Sequence, residues 1–324
     1  SSGGGMPGVG PPFGVGNRAG ARAGARAWIS GTQPGLLATV QDLGRPGRAS
    51  QGIARSGALD RGALRIANRL LGNAEGAAGV EITMGGFSAV LVGAGSGDSP
   101  GRGAGGVWVA VTGAQGDVTI DGRAVGTNRA VLWPFGARLD VGMAAHGVRF
   151  YLGVRGGIDA PVIAGSRATD VMAGLGLAPL TTGDALPLEG ACIAPVPAND
   201  LAPWGVAHDR IDIELWPGPR ADWFAPTALE TLFGALWLAT SESNRVGMRL
   251  AGPEVARTRA GELPSEGMVV GAVQVPPSGA PTVLLADGPV TGGYPVIAVV
   301  AEASLDRLAQ ARPGQRIAFR HASP

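Results

Sequence analysis

Residues 107–122 read VWVAVTGAQGDVTIDG and contain two short apolar runs and a turn signal. Val107–Thr112 and Val118–Ile120 have the length of β-strands, and Asp121-Gly122 is a strong two-residue hairpin signal. Similar runs recur along the chain, at Leu36–Val40, Ala89–Val92, Ala130–Trp133, Val148–Val154, Ile211–Trp216, Met268–Val275, Thr282–Ala286 and Val296–Val300. Ten or more short strands at this spacing predict barrels or sandwiches, and not an alternation of strands and helices.

Helical pattern is scarce in this sequence. The clearest case is Asp60–Leu71, where Asp60 can cap the helix and apolar residues line one face. Shorter helices are predicted at Thr227–Phe233 and at Ser304–Ala311, the second with Ser304 as its cap. The sequence therefore predicts a mainly β chain with a few short helices.

Two shifts in composition divide the 324 residues. Residues 1–27 hold Gly, Ala, Pro and Arg and little that can be buried, which predicts a disordered tail. A second boundary is predicted within Ala194–Ala207, where three prolines stand between two strand-rich halves. We therefore expect an N-terminal module over residues 28–203 and a C-terminal module over residues 204–324.

All 26 basic side chains belong to arginine, and the chain contains no lysine. This composition excludes a P-loop lysine, a Schiff-base lysine and a covalently attached biotin, because each needs a primary amine. A GC-rich coding bias accounts for the composition without changing these exclusions. The net charge of +1 gives no bulk attraction to nucleic acid or to a membrane, and we expect neither as a partner.

The remaining reactive residue types are few. Cys192 is the single cysteine, so it cannot form an internal disulfide, and we expect it to be buried as a small apolar residue in a reducing compartment. His146, His208 and His321 are scattered without the spacing of metal ligands, and no metal site is expected. No apolar run has the length of a membrane span or a signal peptide core, so we expect a cytoplasmic protein.

Four polar clusters interrupt the apolar pattern. In the first, Val40–Gly47, the side chains of Asp42 and Arg45 can pair with each other, and Ser56–Asp60 follows; the alternative is a turn and a helix cap. The other three clusters lie in the C-terminal half of the chain.

The second cluster is Thr240–Leu250. Arg245 and Arg249 stand four residues apart, and two such guanidinium groups can clamp a carboxylate or a phosphate. Ser243 and Asn244 can add neutral hydrogen bonds. The alternative is a local Asx or Ser/Thr turn with solvated arginines.

The third and fourth clusters flank two predicted strands. Glu266 is a candidate base or ion-pair partner, and Gln274 lies in the strand that follows it; the alternative is a β-turn with an exposed acid. The fourth cluster begins at Asp287, where a strand ends, and continues through Thr291, Gly292, Gly293 and Tyr294. Its glycines allow backbone N–H groups to approach a ligand, and the alternative is a long hairpin loop.

Eight stretches in this order resemble the allophanate hydrolase subunit 2 family. They are Thr39–Gly47, Ser56–Asp60, Ala67–Asn73, Glu81–Gly86, Pro217–Pro219, Ser243–Leu250, Gly271–Gly279 and Ala286–Pro295. One such motif would be weak, but eight in order across about residues 32–320 are specific. The family includes the C-type component of 5-oxoprolinase, the regulator KipA and one half of the carboxyltransferase domain of urea carboxylase.

The resemblance implies two cyclophilin-like β-barrel modules and a composite site shared with a KipI-like protein, the B-type component. In the 5-oxoprolinase branch, a third subunit takes part and ATP is consumed as 5-oxoproline is opened to glutamate. Any covalent biotin would be carried by another chain, because this one has no lysine.

This branch assigns roles to the polar clusters. The candidate catalytic residues are Asp287, Glu266 and Tyr294, and the candidate substrate-binding residues are Ser243, Asn244, Arg245, Arg249, Gln274, Thr291, Gly292 and Gly293. Arginines would bind anionic groups, a carboxyl group would transfer protons, and the glycine pair would admit the substrate to the backbone. Two other interpretations stay open: a carboxyltransferase or allophanate hydrolase component of urea metabolism, and a non-enzymatic KipA-like regulator that binds a partner protein.

Overall fold

A computed structural model describes residues 27–93, 105–190, 192–197, 202 and 209–323. Within these ranges the chain is mainly β, with three α-helices, and it surrounds two large apolar cores. The predicted tail over residues 1–27 lies outside the described residues except for Ala27, which is the first residue of a strand. The predicted boundary between residues 203 and 204 also lies outside them and stays a prediction. No helix of the described part is long and apolar enough to cross a membrane.

The N-terminal core is enclosed by two sheets. The strands are β1 (Ala27–Pro34), β2 (Leu37–Gln41), β3 (Gly79–Thr83), β4 (Phe87–Gly93), β5 (Gly106–Gln115), β6 (Val118–Ile120), β7 (Arg123–Ala124), β8 (Ala130–Pro134), β9 (Arg138–Val141), β10 (His146–Val154) and β11 (Ala185–Pro187). One sheet has the order β11-β1-β4-β9-β6-β7 and the other β2-β3-β10-β5-β8. Their inner faces share one core, in which the Trp133 side chain is fully buried.

The C-terminal module is a closed barrel of seven strands. Its strands, with a short two-stranded sheet beside it, are β12 (Arg210–Pro217), β13 (Leu236–Ala239), β14 (Gly247–Ala251), β15 (Glu266–Gly267), β16 (Ala272–Gln274), β17 (Thr282–Leu284), β18 (Thr291–Gly292), β19 (Val296–Val300) and β20 (Arg316–His321). The barrel order is β12-β19-β16-β17-β14-β13-β20, and β12 closes it by pairing in parallel with β20. The predictions of a mainly β chain and of barrel architecture are confirmed.

The three helices are α1 (Arg61–Leu70), α2 (Ala228–Gly234) and α3 (Glu302–Ala309). The α1 helix begins as predicted, because Asp60 caps it by accepting a hydrogen bond from Ala63 N at 2.8 Å. The predicted cap of α3 is wrong. The helix begins two residues before Ser304, and the Ser304 hydroxyl, buried against the barrel, instead accepts a hydrogen bond from Glu214 N.

Local turn chemistry explains where two predicted strands end. The Asp121-Gly122 turn joins β6 to β7 as predicted, with φ of 48° and 74° at the two positions. The run Met268–Val275 predicts one strand, but β16 begins only at Ala272, because Gly271 adopts a φ of 89° and turns the chain.

Candidate functional site

Arg245 forms an ion pair with Asp287 in the interior between the two modules. Its Nε lies 2.9 Å from Asp287 Oδ2 and its Nη2 lies 2.9 Å from Asp287 Oδ1, so the pair is bidentate. Nη1 donates to Glu81 Oε1 at 2.5 Å, and Nη2 also donates to the carbonyl of Gly57. The Arg245 side chain is 1% exposed. All three nitrogens are therefore committed to buried partners, and Arg245 is an internal anchor.

Glu81 extends this network into the N-terminal module. Its Oε2 accepts hydrogen bonds from the Tyr151 hydroxyl at 2.7 Å and from Leu59 N at 3.0 Å, and the Arg149 guanidinium lies 3.7 Å from Oε1. Burial opposes ionisation, but the guanidinium groups of Arg245 and Arg149 outweigh it and hold the pKa of Glu81 below its ordinary value. Glu81 is therefore a buried carboxylate that ties strand β3 to the barrel.

The loop that meets Asp287 is fixed by a close contact between two glycines. A Cβ on Gly44 would lie 2.5 Å from the carbonyl oxygens of Arg55 and Ser56, and Gly44 has a φ of 82°. Gly57 faces it with a φ of 85°, so neither position accommodates a side chain. This packing places the Ser56 hydroxyl 2.7 Å from Asp287 Oδ1. Asp287 is fully buried with both oxygens engaged, which makes it the anchor of the loop that follows it.

That loop reaches the outside of the barrel and meets Glu266. Strand β15 pairs with β18, which sets Glu266 opposite Gly292. The Glu266 carboxylate receives two hydrogen bonds from the Arg220 guanidinium, one of them from Nε at 3.0 Å. A Cβ on Gly292 would lie 2.9 Å from Gln274 Nε2, which shows how closely the backbone approaches that amide.

The structure therefore brings together one part of the predicted site. Glu266, Gln274 and the Thr291–Gly293 backbone lie on one outer face of the barrel, which we call the Glu266 face. Gln274 Nε2 also contacts the Sδ atom of Met268 at 3.3 Å. Tyr294 follows directly and is partly exposed. This face combines an ion-paired carboxylate, an amide and glycine backbone, which can bind and orient a small polar molecule.

The Ser243–Arg249 segment is arranged differently from the predicted clamp. Arg249 points outward from β14 and pairs with Glu242 at 2.5 Å, both side chains being largely exposed, whereas Arg245 points inward. Asn244 Oδ1 accepts hydrogen bonds from the backbone of Val246 and Gly247, which is an Asx turn. The Ser243 hydroxyl is buried without a hydrogen-bond partner. The two arginines therefore do not face a common ligand in this conformation.

Two cavities adjoin these elements. The larger, about 820 Å³, lies between the modules and is lined by Asp60, His146, Arg210 and Gln310, among others. The smaller, about 300 Å³, borders Met268 and the start of the Asp287 loop. In the part of the chain that the structure describes, no group of His, Cys, Asp and Glu residues has the arrangement of a metal site.

A family model described as carboxyltransferase domain, subdomain A and B, matches residues 51–321. The chain belongs to this carboxyltransferase domain family. It is 39% identical to the C-type component of 5-oxoprolinase of Escherichia coli over 290 residues, which cover 88% of each chain. It is 32% identical to urea amidolyase of Saccharomyces cerevisiae over 310 residues, which cover 89% of this chain but 16% of that protein.

The solved structures place the fold of this carboxyltransferase-family chain in the same family. Urea amidolyase of Kluyveromyces lactis superposes with a TM-score of 0.83 and 30% identity over 92% of this chain. The chain spans only 19% of that much longer protein. The match therefore covers one part of a multidomain enzyme, and it supports the family and the fold.

Sequence reasoning missed several residues of the carboxyltransferase-family junction, namely Glu81, Arg149, Tyr151, Arg220 and Gln310. A charged residue inside an apolar strand is the one signal that could have found Glu81, since Val80 and Ile82 flank it. Two smaller expectations were wrong. Asp42 bonds to Ser166 and to backbone N–H groups rather than to Arg45, and Cys192 is exposed.

Proposed function

We propose that this chain is the C-type component of an ATP-dependent 5-oxoprolinase and helps to open 5-oxoproline to glutamate. The observation that carries the proposal is the similarity to the Escherichia coli protein of that name, at 39% identity over 88% of both chains. The name of that relative also supports partner subunits. We propose a KipI-like protein of the B type and a third subunit as those partners, with the site shared between chains.

The Glu266 face is the proposed site for the ring amide. Glu266 is the candidate for proton transfer, because its carboxylate is near the surface and oriented by Arg220. Gln274 and the backbone of Thr291–Gly293 would hold the amide, with Tyr294 at the edge. Asp287 is fully buried in its pair with Arg245, so in this proposal it positions the loop and does not contact substrate.

The arginines of this face do not suit a triphosphate. Arg220 is paired with Glu266, Arg249 with Glu242, and Arg245 with Asp287 and Glu81. Binding of ATP here would have to break one of these pairs. We therefore propose that ATP, which activates the amide in the complete enzyme, is bound by the partner subunits.

A carboxyltransferase component of urea metabolism is the second candidate. The similarity to urea amidolyase over 89% of this chain supports it. Such an enzyme would take its carboxyl group from biotin on another chain, because this chain contains no lysine.

Reconstitution separates the candidates. The purified chain is mixed with its KipI-like partner, the third subunit, 5-oxoproline and ATP, and glutamate is measured, with each component omitted in turn. Glutamate formation that requires this chain supports the proposal. Carboxylation of urea in the presence of a biotinylated carrier, without glutamate formation, supports the second candidate. Partner binding without either activity favours a KipA-like regulator.

A further inference from the structure

The cavity of about 300 Å³ beside the Asp287 loop has the make-up of a ligand pocket. Its walls are apolar and come from three segments, Met268–Val270, Leu284–Ala286 and Pro289–Val290, with Val300 and Leu305 beyond them. Its charged lining residues are Arg55 and Glu302. An apolar cavity of this size with a few convergent polar groups is the usual form of a small-molecule site.

Arg55 is the polar group that is not fully used within the protein. Its Nε is buried without a hydrogen-bond partner, and its Nη1 lies 3.8 Å from Glu302. Glu302 is closer to Arg61, at 2.8 Å, and is 71% exposed, so it neutralises Arg55 only weakly. Burial and the neighbouring charges of Arg61 and Arg65 lower the pKa of Arg55. An anion at this guanidinium would relieve both effects.

We propose that this pocket binds the carboxylate end of a small monocarboxylic acid with an apolar body, with Arg55 as the anion-binding residue. A guanidinium presents paired N–H donors that match a carboxylate. The apolar walls accommodate a hydrocarbon ring and provide no pairing for a second charge. For the identity of the ligand the inference rests on the proposed function, since 5-oxoproline joins one carboxylate to a small ring.

The position of the pocket agrees with that ligand. Met268 lines the pocket and also contacts the Gln274 amide, so the pocket and the Glu266 face share a wall. Pro289 and Val290 belong to the loop that continues to Thr291 and Gly292. A molecule held by its carboxylate at Arg55 would extend its ring toward the groups proposed to act on the amide.

Three probes and two variants test the assignment. Binding to the full chain is measured by calorimetry for 5-oxoproline, for cyclopentanecarboxylate, which lacks the amide, and for 2-pyrrolidinone, which lacks the carboxylate. We expect the two carboxylates to bind and 2-pyrrolidinone to bind at least about tenfold more weakly. Arg55→Gln should remove that difference. Arg123→Gln, an exposed arginine on β7, is the matched control and should bind all three as the wild type does.

The outcomes also separate this inference from the proposed function. If 2-pyrrolidinone binds as well as 5-oxoproline, if neither carboxylate binds, or if Arg55→Gln leaves affinity unchanged, the assignment of Arg55 is overturned. In the reconstituted complex, Arg55→Gln should raise KM for 5-oxoproline about tenfold or more. Selective carboxylate binding to the chain together with no glutamate formation would support the pocket and contradict the proposed function.

Discussion

Gln310, from the end of helix α3, and Arg149, from strand β10, exchange two hydrogen bonds across the junction of the modules. Gln310 Nε2 donates to the Arg149 carbonyl at 3.0 Å, and Gln310 Oε1 accepts from Arg149 N at 3.0 Å and from Val148 N at 2.9 Å. The β5–β10 register shifts between His146 and Phe150, so this side-chain amide occupies a gap in the ladder. The Arg149 guanidinium in turn donates to the Ala309 carbonyl. The two modules are joined by backbone pairing as well as by packing.

We expect Gln310→Met to lower the free energy of unfolding by about 3 kcal/mol. Methionine keeps the length of the side chain, but it leaves the N–H groups of Val148 and Arg149 and the carboxylate of Asp60 without a partner, and each unpaired buried group costs about 1–3 kcal/mol. Urea denaturation monitored by tryptophan fluorescence gives the value. Gln51→Met, at an exposed position, should change stability by less than about 0.5 kcal/mol. A similar loss in both variants would contradict this explanation.

Asp60 predicts a dependence of stability on pH. Burial raises its pKa from 3.8 to about 6, against the hydrogen bonds from Gln310 and from Ala63 N. Since the pKa is higher in the folded state, the folded protein binds more protons than the unfolded chain between these values. This contribution to stability is complete below about pH 4 and is lost as the pH rises through about 6, a change of about 3 kcal/mol.

Asp60→Asn does not titrate and keeps a residue that can cap α1. Relative to this variant, the wild type should therefore become less stable by about 3 kcal/mol between about pH 4 and about pH 7. Chemical denaturation across this range measures the difference. Asp117→Asn, at an exposed position, should follow the wild-type profile. If the profiles of wild type and Asp60→Asn run parallel, the pKa of Asp60 is not raised.

Local features of the sequence were sufficient for much of the fold. The Asp60 cap and the Asp121-Gly122 turn depend on neighbouring residues, and both follow from the sequence. The Glu266 face was also accessible, because Glu266 and Gln274 lie close together in sequence and the glycine loop follows the next strand.

The junction between the modules could not be predicted in the same way. Glu81 and Arg245 are 164 residues apart, and no periodicity links them. From composition, Arg245 and Arg249 looked equivalent, yet in the structure one points into the protein and the other points to solvent. The difference depends on the β14 register, in which Met248 and Leu250 enter the core. Side-chain direction at a strand end is therefore fixed by long-range pairing.

The Arg245–Asp287 pair predicts non-additive effects on stability. Arg245→Met leaves two buried carboxylates, Glu81 and Asp287, without their shared cation, and should cost about 3–5 kcal/mol. Asp287→Asn should cost less, because Arg245 keeps Glu81. The double variant should be more stable than the sum of the two losses predicts, since the introduced asparagine carries no charge that needs a partner. Denaturant unfolding of all four proteins tests this, and losses that add within about 0.5 kcal/mol would contradict direct coupling.

Glu266 is the residue whose chemistry is most directly testable. If it transfers a proton in the reconstituted enzyme, Glu266→Gln should lower kcat about 100-fold or more while KM for 5-oxoproline changes little, because glutamine keeps the size of the side chain. Arg220→Lys should give a smaller loss, since a lysine can hold the carboxylate through one contact but not through two. Glu230→Gln, on the exposed side of α2, is the control and should retain full activity. Equal kcat values for Glu266→Gln and wild type would remove Glu266 from the chemistry and leave it as the ion-pair partner of Arg220.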